Sequence, residues 1–230
     1  MINRQAIKAQ AKELLNANPM LAMFSVALPL ILSFLSLWIF YVPMMQMMMV
    51  NTTSNEVQTS IPFPVIPWTG LMISSIIIGI VQLISYLILF DYHEFKHVNT
   101  LSLSRYMDYL KSPQMFGFIK VYLWQQLFLS LWALIPFVGI FIALIKSYSY
   151  SQALFIYRDN TNMIPKDTIA QSRQLMNGHK WELFVLHLSF IGWHILSAIT
   201  FGIVGFYVTP YQMLSEIGFY KSLTSNNLNS

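Results

Sequence analysis

The sequence predicts an all-α, polytopic membrane protein: six transmembrane helices in three in-out-in hairpins, each hairpin preceded by an amphipathic helix at the cytoplasmic interface. Three observations carry that expectation. Of the 230 residues, 56% are hydrophobic and only 10% are charged, whereas soluble domains carry about 25% charged residues. Several apolar runs reach the roughly 20 residues that a helix needs to cross a bilayer. The basic residues, finally, gather on one side of the map those runs draw, the asymmetry that fixes orientation in a membrane.

Residues 2–17 form the first interfacial helix, carrying Arg4, Lys8 and Lys12. The run that follows, "MLAMFSVALPLILSFLSLWIFYV" (20–42), exceeds a signal-peptide core and has no small-residue cleavage site after it, so it is an uncleaved span. The polar stretch 51–68 contains no Lys or Arg and is the outer loop. A second span, 69–90, exits toward Lys96, Arg105 and Lys111. The apolar stretch 117–157 is too long for one crossing of about 30 Å. Pro136 and Gly139 punctuate it and divide it into spans at 118–135 and 140–157. The stretch 183–220 divides in the same way at "ITFGIVG", giving spans at 183–200 and 203–220.

On this map Arg4, Lys8, Lys12, Lys96, Arg105, Lys111, Arg158, Lys166, Arg173, Lys180 and Lys221 share one side, which the positive-inside rule makes cytoplasmic together with both termini. Lys120 and Lys146 fall within spans. A five-span alternative, with 183–208 as one tilted helix, puts Lys221 outside. The net charge of +4 is therefore read as topology, and no nucleic-acid partner is expected, because no basic block interleaved with aromatics stands apart from the apolar runs. Without cysteine there is no disulfide framework, thiolate metal site or cysteine nucleophile.

Two phrases, "AQAKELLNANP" (9–19) and "AQSRQLMNGHKWELF" (170–184), repeat a half-polar pattern at the edge of an apolar segment. Leu14 and Leu15, or Leu175 and Met176, make an apolar edge, and Asn16 or Asn177 marks the stop. A looser version, "LSRYMDYLKSPQMF", precedes the middle hairpin. These make a threefold unit of interfacial helix plus hairpin.

The succession "IPFVGIFIALIKSYSYSQALFIYRDN", "AQSRQLMNGHKWELFVLHLSFIGW" and "TFGIVGFYVTPYQMLSEIGFY" closely resembles the bacterial domain-of-unknown-function 975 family over residues 130–221. The resemblance implies a multi-span inner-membrane protein, and brings no activity, substrate or catalytic residue.

Functional groups are sparse. "HEFKH" has the form H-E-x-x-H, which on a helix sets His93 and His97 one turn apart for zinc with Glu94 as proton carrier. A third ligand at a recognised spacing is missing, and the following "VNTLSLS" reads as a connector, so a zinc hydrolase is the least favoured reading. Lys146 is the stronger candidate, because an ionisable group inside a span faces a partner, a cavity or a polar path. Ser147, Ser149 and Tyr150 adjoin it. The competing structural reading has the serines bonding within the bundle while the lysine reaches the headgroups. Glu216, and His187 with His194 seven residues on, are further intramembrane polar groups able to bind a ligand or relay protons. No catalytic residue, metal or cofactor is expected. Three classes result: a non-enzymatic accessory, assembly or protective factor engaging membrane lipids or other membrane proteins; a small transporter or channel with a polar path around Lys146; and the zinc hydrolase.

Overall fold

The computed structural model of the chain describes residues 2–36, 38–39, 65–95, 103–135 and 139–228, and among them there is no strand. Helix α1 (Arg4–Ala17) starts where the Asn3 side chain accepts from the Ala6 N–H at 3.1 Å, filling one donor that a helix N-terminus leaves open. Its buried residues, Ile7, Ala11, Leu14 and Leu15, recur at three and four positions and so share one face. Helix α2 (Pro19–Ser36) begins on a proline and contains Pro29. Lacking an N–H, Pro29 leaves the Ser25 carbonyl without its intrahelical donor, and the Tyr106 hydroxyl donates to that carbonyl at 3.4 Å.

Helix α3 (Val65–Phe95) is the longest, roughly 46 Å at 1.5 Å per residue. It is followed by α4 (Leu103–Lys111) and α5 (Met115–Ala133). Next come α6 (Gly139–Tyr150), α7 (Ala153–Asp159) and α8 (Pro165–Leu175). The chain closes with α9 (Lys180–Leu188), α10 (Ile191–Ile199) and α11 (Gly205–Leu228).

Contacts give the directions. Gln82 meets Met213, Tyr86 meets Glu216 and Phe90 meets Tyr220, so α3 and α11 run parallel and in register. Phe128 meets Tyr150 and Trp132 meets Lys146, so α5 and α6 run antiparallel; His187 meets Glu216 and Phe190 meets Tyr211, so the chain through α9 also runs antiparallel to α11. One buried cluster joins α1, the end of α3, α7, α9 and α11 around Phe90, Leu183, Phe190 and Phe219. A second joins α3, α5, α7 and α8 around Ile84, Ile88, Phe118, Val121 and Ile169.

Helices stand at all three places expected for an interfacial segment: α1, α4 and α8. Among the described residues two helical segments, Ile73–Glu94 and Lys180–Ile199, are by length and composition long and apolar enough to cross a membrane, and Met23–Ser36 is apolar but shorter. The other expected spans are helical in part. Span 140–157 divides into α6 and α7 at Ser151 and Gln152, where Ser147, Ser149 and Ser151 return their hydroxyls to the carbonyls of Leu144, Ile145 and Tyr148. Such back-bonding competes with the helical ladder and bends it. Span 183–200 turns at Ser189 and Phe190, with the Ser189 hydroxyl donating to Leu186. The turn expected at "ITFGIVG" occupies residues 200–204; the Gly202 N–H closes it on the Ser197 carbonyl at 2.7 Å, with Phe201 at φ 51° and Gly202 at φ 90°. Residues 51–64 of the outer loop expected over 51–68, the turn expected at Pro136, Lys96 and His97 lie outside the described residues, and residues 65–68 of that expected loop already belong to α3.

Close approach of α5 and α7 depends on Gly117. A Cβ there would run into the Tyr157 hydroxyl and ring, and Tyr157 is buried edge-on to Phe118 at 4.9 Å. Gly117→Ala is expected to cost about 1–3 kcal/mol through overpacking, read as a lowered melting temperature in detergent; an unchanged melting temperature would contradict this packing.

Candidate functional site

Glu216 is the hub of the polar groups within the bundle. On α11, it accepts from the Tyr86 hydroxyl of α3 at 3.1 Å and from the Gln212 amide one turn earlier at 3.0 Å. His187 of α9 brings Nε2 to 2.9 Å from Glu216 Oε1, the oxygen that also accepts from Gln212, while Tyr86 donates to Oε2. That approach is close in distance but poorly aligned, and it leaves the buried Nε2 without a directed hydrogen bond. Gln212 extends the chain to His194 Nε2 at 2.7 Å. The order of polar groups is thus Tyr86, Glu216, Gln212 and His194, with His187 alongside.

A cavity of about 340 Å³ opens beside Glu216, lined by Tyr86, Gln125, Ser147, Tyr148, Ser151 and His187, among others. Gln125 Oε1 is also buried without a hydrogen-bond partner. Two buried polar atoms lacking directed partners on one cavity wall are uncommon, because a buried polar group left unpaired costs about 1–3 kcal/mol. This wall can accept a water or a small polar ligand between a carboxylate, an imidazole, an amide and two phenols.

The sequence-predicted candidates separate onto several faces. Ser147 joins His187 and Glu216 on the cavity, and His194 reaches it through Gln212. Lys146 and Ser149 turn instead toward α8 and line a different cleft. Tyr150 is buried in the second apolar cluster, 6.2 Å from the Phe128 ring. Consecutive helical residues do not face one another, so "KSYSYSQ" cannot line a single path.

A charged network that the sequence reading missed lies where α3 and α7 end beside Tyr220 and Lys221 of α11. Arg158 donates to Asp91 at 2.5 Å and to Glu94 at 2.7 Å, and contacts Asp159 at 3.3 Å. Lys221 donates to the other Glu94 oxygen at 3.1 Å. Tyr109 donates to Asp91 and Tyr220 to Asp159, and both Arg158 and Lys221 lie over the Phe90 ring, at 4.1 and 4.7 Å. Burial pushes the Arg158 guanidinium down, but the bonds to Asp91 and Glu94 outweigh it and hold the group above its ordinary range. Of the H-E-x-x-H residues, Glu94 spends both oxygens on these cations, His93 sits beside Gly218, and His97 falls outside the described residues. No group of three metal-ligating side chains occurs among the described residues. A sequence signal for this network existed: acids directly follow the second expected span, and basic residues directly follow the fourth and sixth.

The polar groups just described fall largely within one stretch with known relatives. Residues 123–227 match the family described as Protein of unknown function (DUF975). The resemblance drawn from the sequence is therefore shown for the part of the chain that runs from mid-α5 to the end of α11. The matched stretch holds Lys146, Arg158, His187, His194, Glu216 and Lys221, whereas Tyr86, Asp91 and Glu94 on α3 stand outside it. No curated protein and no solved structure matches the chain.

If Glu216 ties α3, α9 and α11 together, Glu216→Ala leaves Tyr86, Gln212 and His187 facing an empty site. The expected cost is about 2 kcal/mol, with Glu216→Gln recovering most of it because the amide still accepts from Tyr86. Equal melting temperatures for Glu216→Ala and the parent protein would show that the cluster carries no such tie.

Proposed function

We propose that the protein is a multi-pass cell-membrane protein with six spans and both termini cytoplasmic, acting without catalysis as an accessory, assembly or protective factor. Its partners are membrane lipids and, in that role, other membrane proteins. The observation that carries this reading is the exposure of large apolar side chains at helical spacing away from the charged end: Ile73, Ile76 and Ile77 on α3, and Leu123, Leu127 and Leu131 on α5. Leu144 and Ile145 on α6 and Ile191, Ile195 and Ile199 on α10 are exposed as well. Exposed apolar surface on this scale needs an apolar surrounding, and the lipid core supplies one. Charges at the ends of α3 and α7 and at Lys221 of α11 then fall at the headgroups, where eleven basic residues were expected from the sequence.

The experiment is fractionation of the expressed full-length chain. The reading expects it in the membrane pellet after an alkaline carbonate wash and in solution only with detergent. Recovery in the carbonate supernatant would contradict it.

A second reading, passage or binding of a small polar solute, is favoured by the cavity at Glu216, on whose wall Gln125 Oε1 and His187 Nε2 lack directed hydrogen bonds. It expects solute or proton flux across liposomes containing the protein, abolished by Glu216→Gln. Lys146 has no part in that path.

A further inference from the structure

Two neighbouring features on the side of the bundle where α6, α8 and α9 meet are unused by anything described so far. One is a cleft of about 460 Å³ lined by Lys146, Ser149, Arg173, Gln174, Asn177 and Lys180. It has three cations and no carboxylate, and the ion pairs of the described residues include none of the three. The Lys146 ammonium lies 4.9 Å from the Trp132 ring centre, a contact that attracts the charge without consuming its N–H donors. The second feature is an apolar groove of about 260 Å³ lined by Leu144, Ile145, Tyr148, Trp181 and Phe184. Lys180 borders both. Trp181 is 70% exposed and stacks on Phe184 at 5.1 Å, so an aromatic shelf sits beside the cation.

Three like charges gathered without a counter-ion repel one another and attract an anion. Arginine and lysine donors of this kind suit phosphate oxygens, the guanidinium in bidentate fashion. A soluble phosphate would need only the cleft. The groove beginning at the same lysine adds a place for a hydrocarbon chain, and a tryptophan at that boundary matches the aromatic belt of membrane interfaces.

We propose that cleft and groove together form a binding site for one anionic phospholipid, the phosphate held by Arg173 and Lys180 with Lys146 adding charge, and an acyl chain lying along Trp181 and Phe184. This deepens the membrane reading and rests on it. The lipid selects the face where α8 meets the hairpins, and the site explains why Lys146 turns toward α8 and away from Glu216.

Native mass spectrometry of the full-length protein in a non-ionic detergent tests the site, with dioctanoyl phosphatidylglycerol and dioctanoyl phosphatidylcholine as probes. One phosphatidylglycerol per chain is expected to bind at concentrations where phosphatidylcholine does not. Removing two cations by Arg173→Gln with Lys180→Gln should weaken binding by about tenfold or more. Lys12→Gln with Lys166→Gln removes the same charge from exposed positions elsewhere and should leave affinity unchanged. Equal binding of the two lipids, equal loss in the two double variants, or full displacement of the lipid by millimolar glycerol phosphate would each overturn the proposal, the last by assigning the cleft to a soluble phosphate. Carbonate extraction of the membranes from which the protein is purified keeps the two readings apart: a chain that stays in the membrane but ignores headgroup charge refutes only the lipid site.

Discussion

Phe90→Ala lowers the stability of the protein by about 3–5 kcal/mol, the range for deleting a fully buried phenylalanine whose surroundings cannot collapse into the space. Phe90 is wholly buried, and its neighbours explain why the cavity would persist. Phe155 lies at 5.3 Å and Tyr220 at 5.9 Å between ring centres, each held by its own helix. Above the ring stand the Arg158 and Lys221 cations, which lose an aromatic surface worth about 0.5–2 kcal/mol apiece when shielded from water. Phe90→Leu keeps most of the volume and separates the two contributions: it should cost less than Phe90→Ala while losing both cation contacts. Chemical or thermal unfolding in one detergent, followed by near-ultraviolet circular dichroism, reads the difference.

Arg158→Met is the second large effect, at about 2–3 kcal/mol. Breaking a fully buried ion pair costs about 3–5 kcal/mol because the remaining charge is stranded. Here the side chains are 17% exposed for Arg158, 25% for Asp91 and 33% for Glu94, so water recovers part of that. Glu94 keeps Lys221, whereas Asp91 keeps only the Tyr109 hydroxyl among its described contacts. Adding Asp91→Asn to Arg158→Met should therefore restore stability, while adding Glu94→Gln should restore less. Phe90 and Arg158 touch, so their variants should not add; a strictly additive Phe90→Ala, Arg158→Met pair would contradict the stacked geometry.

The parts of the structure legible in the sequence are those fixed by neighbours along the chain. The stop of α1 after Ala17 and of α8 near Asn177, where Gly178 has φ 82°, follows from side chains and backbone freedom at those positions. So does the turn over residues 200–204. Lys8 shows the limit. The sequence marks it as one of the basic residues of the first helix, and the fold adds that it donates to Ser189 at 3.1 Å and lies 4.5 Å from the Phe190 ring centre, with its ammonium pushed down by burial. Nothing near residue 8 announces a partner in α9. Asp91, Glu94, Arg158 and Lys221 were each visible as charges following an apolar run, but which run ends beside which depends on how the hairpins pack. Lys146 lines a polar cleft with Ser149, apart from the cavity at Ser147 and from the buried Tyr150. The alternation in "KSYSYSQ" suggests one polar stripe, while the helical period of 3.6 residues distributes it over three faces.

The most direct test of the membrane topology uses the absence of native cysteine. Single cysteines replace Leu134 and Ile203 at the hairpin tips, and Ser112, Asn160 and Thr224 at the charged end, and a membrane-impermeant maleimide is applied to intact cells and then to permeabilised ones. Six spans with both termini inside predict labelling of positions 134 and 203 from outside, and of 112, 160 and 224 only after permeabilisation. Labelling of position 224 from outside, or of 134 and 160 from the same side, would contradict it.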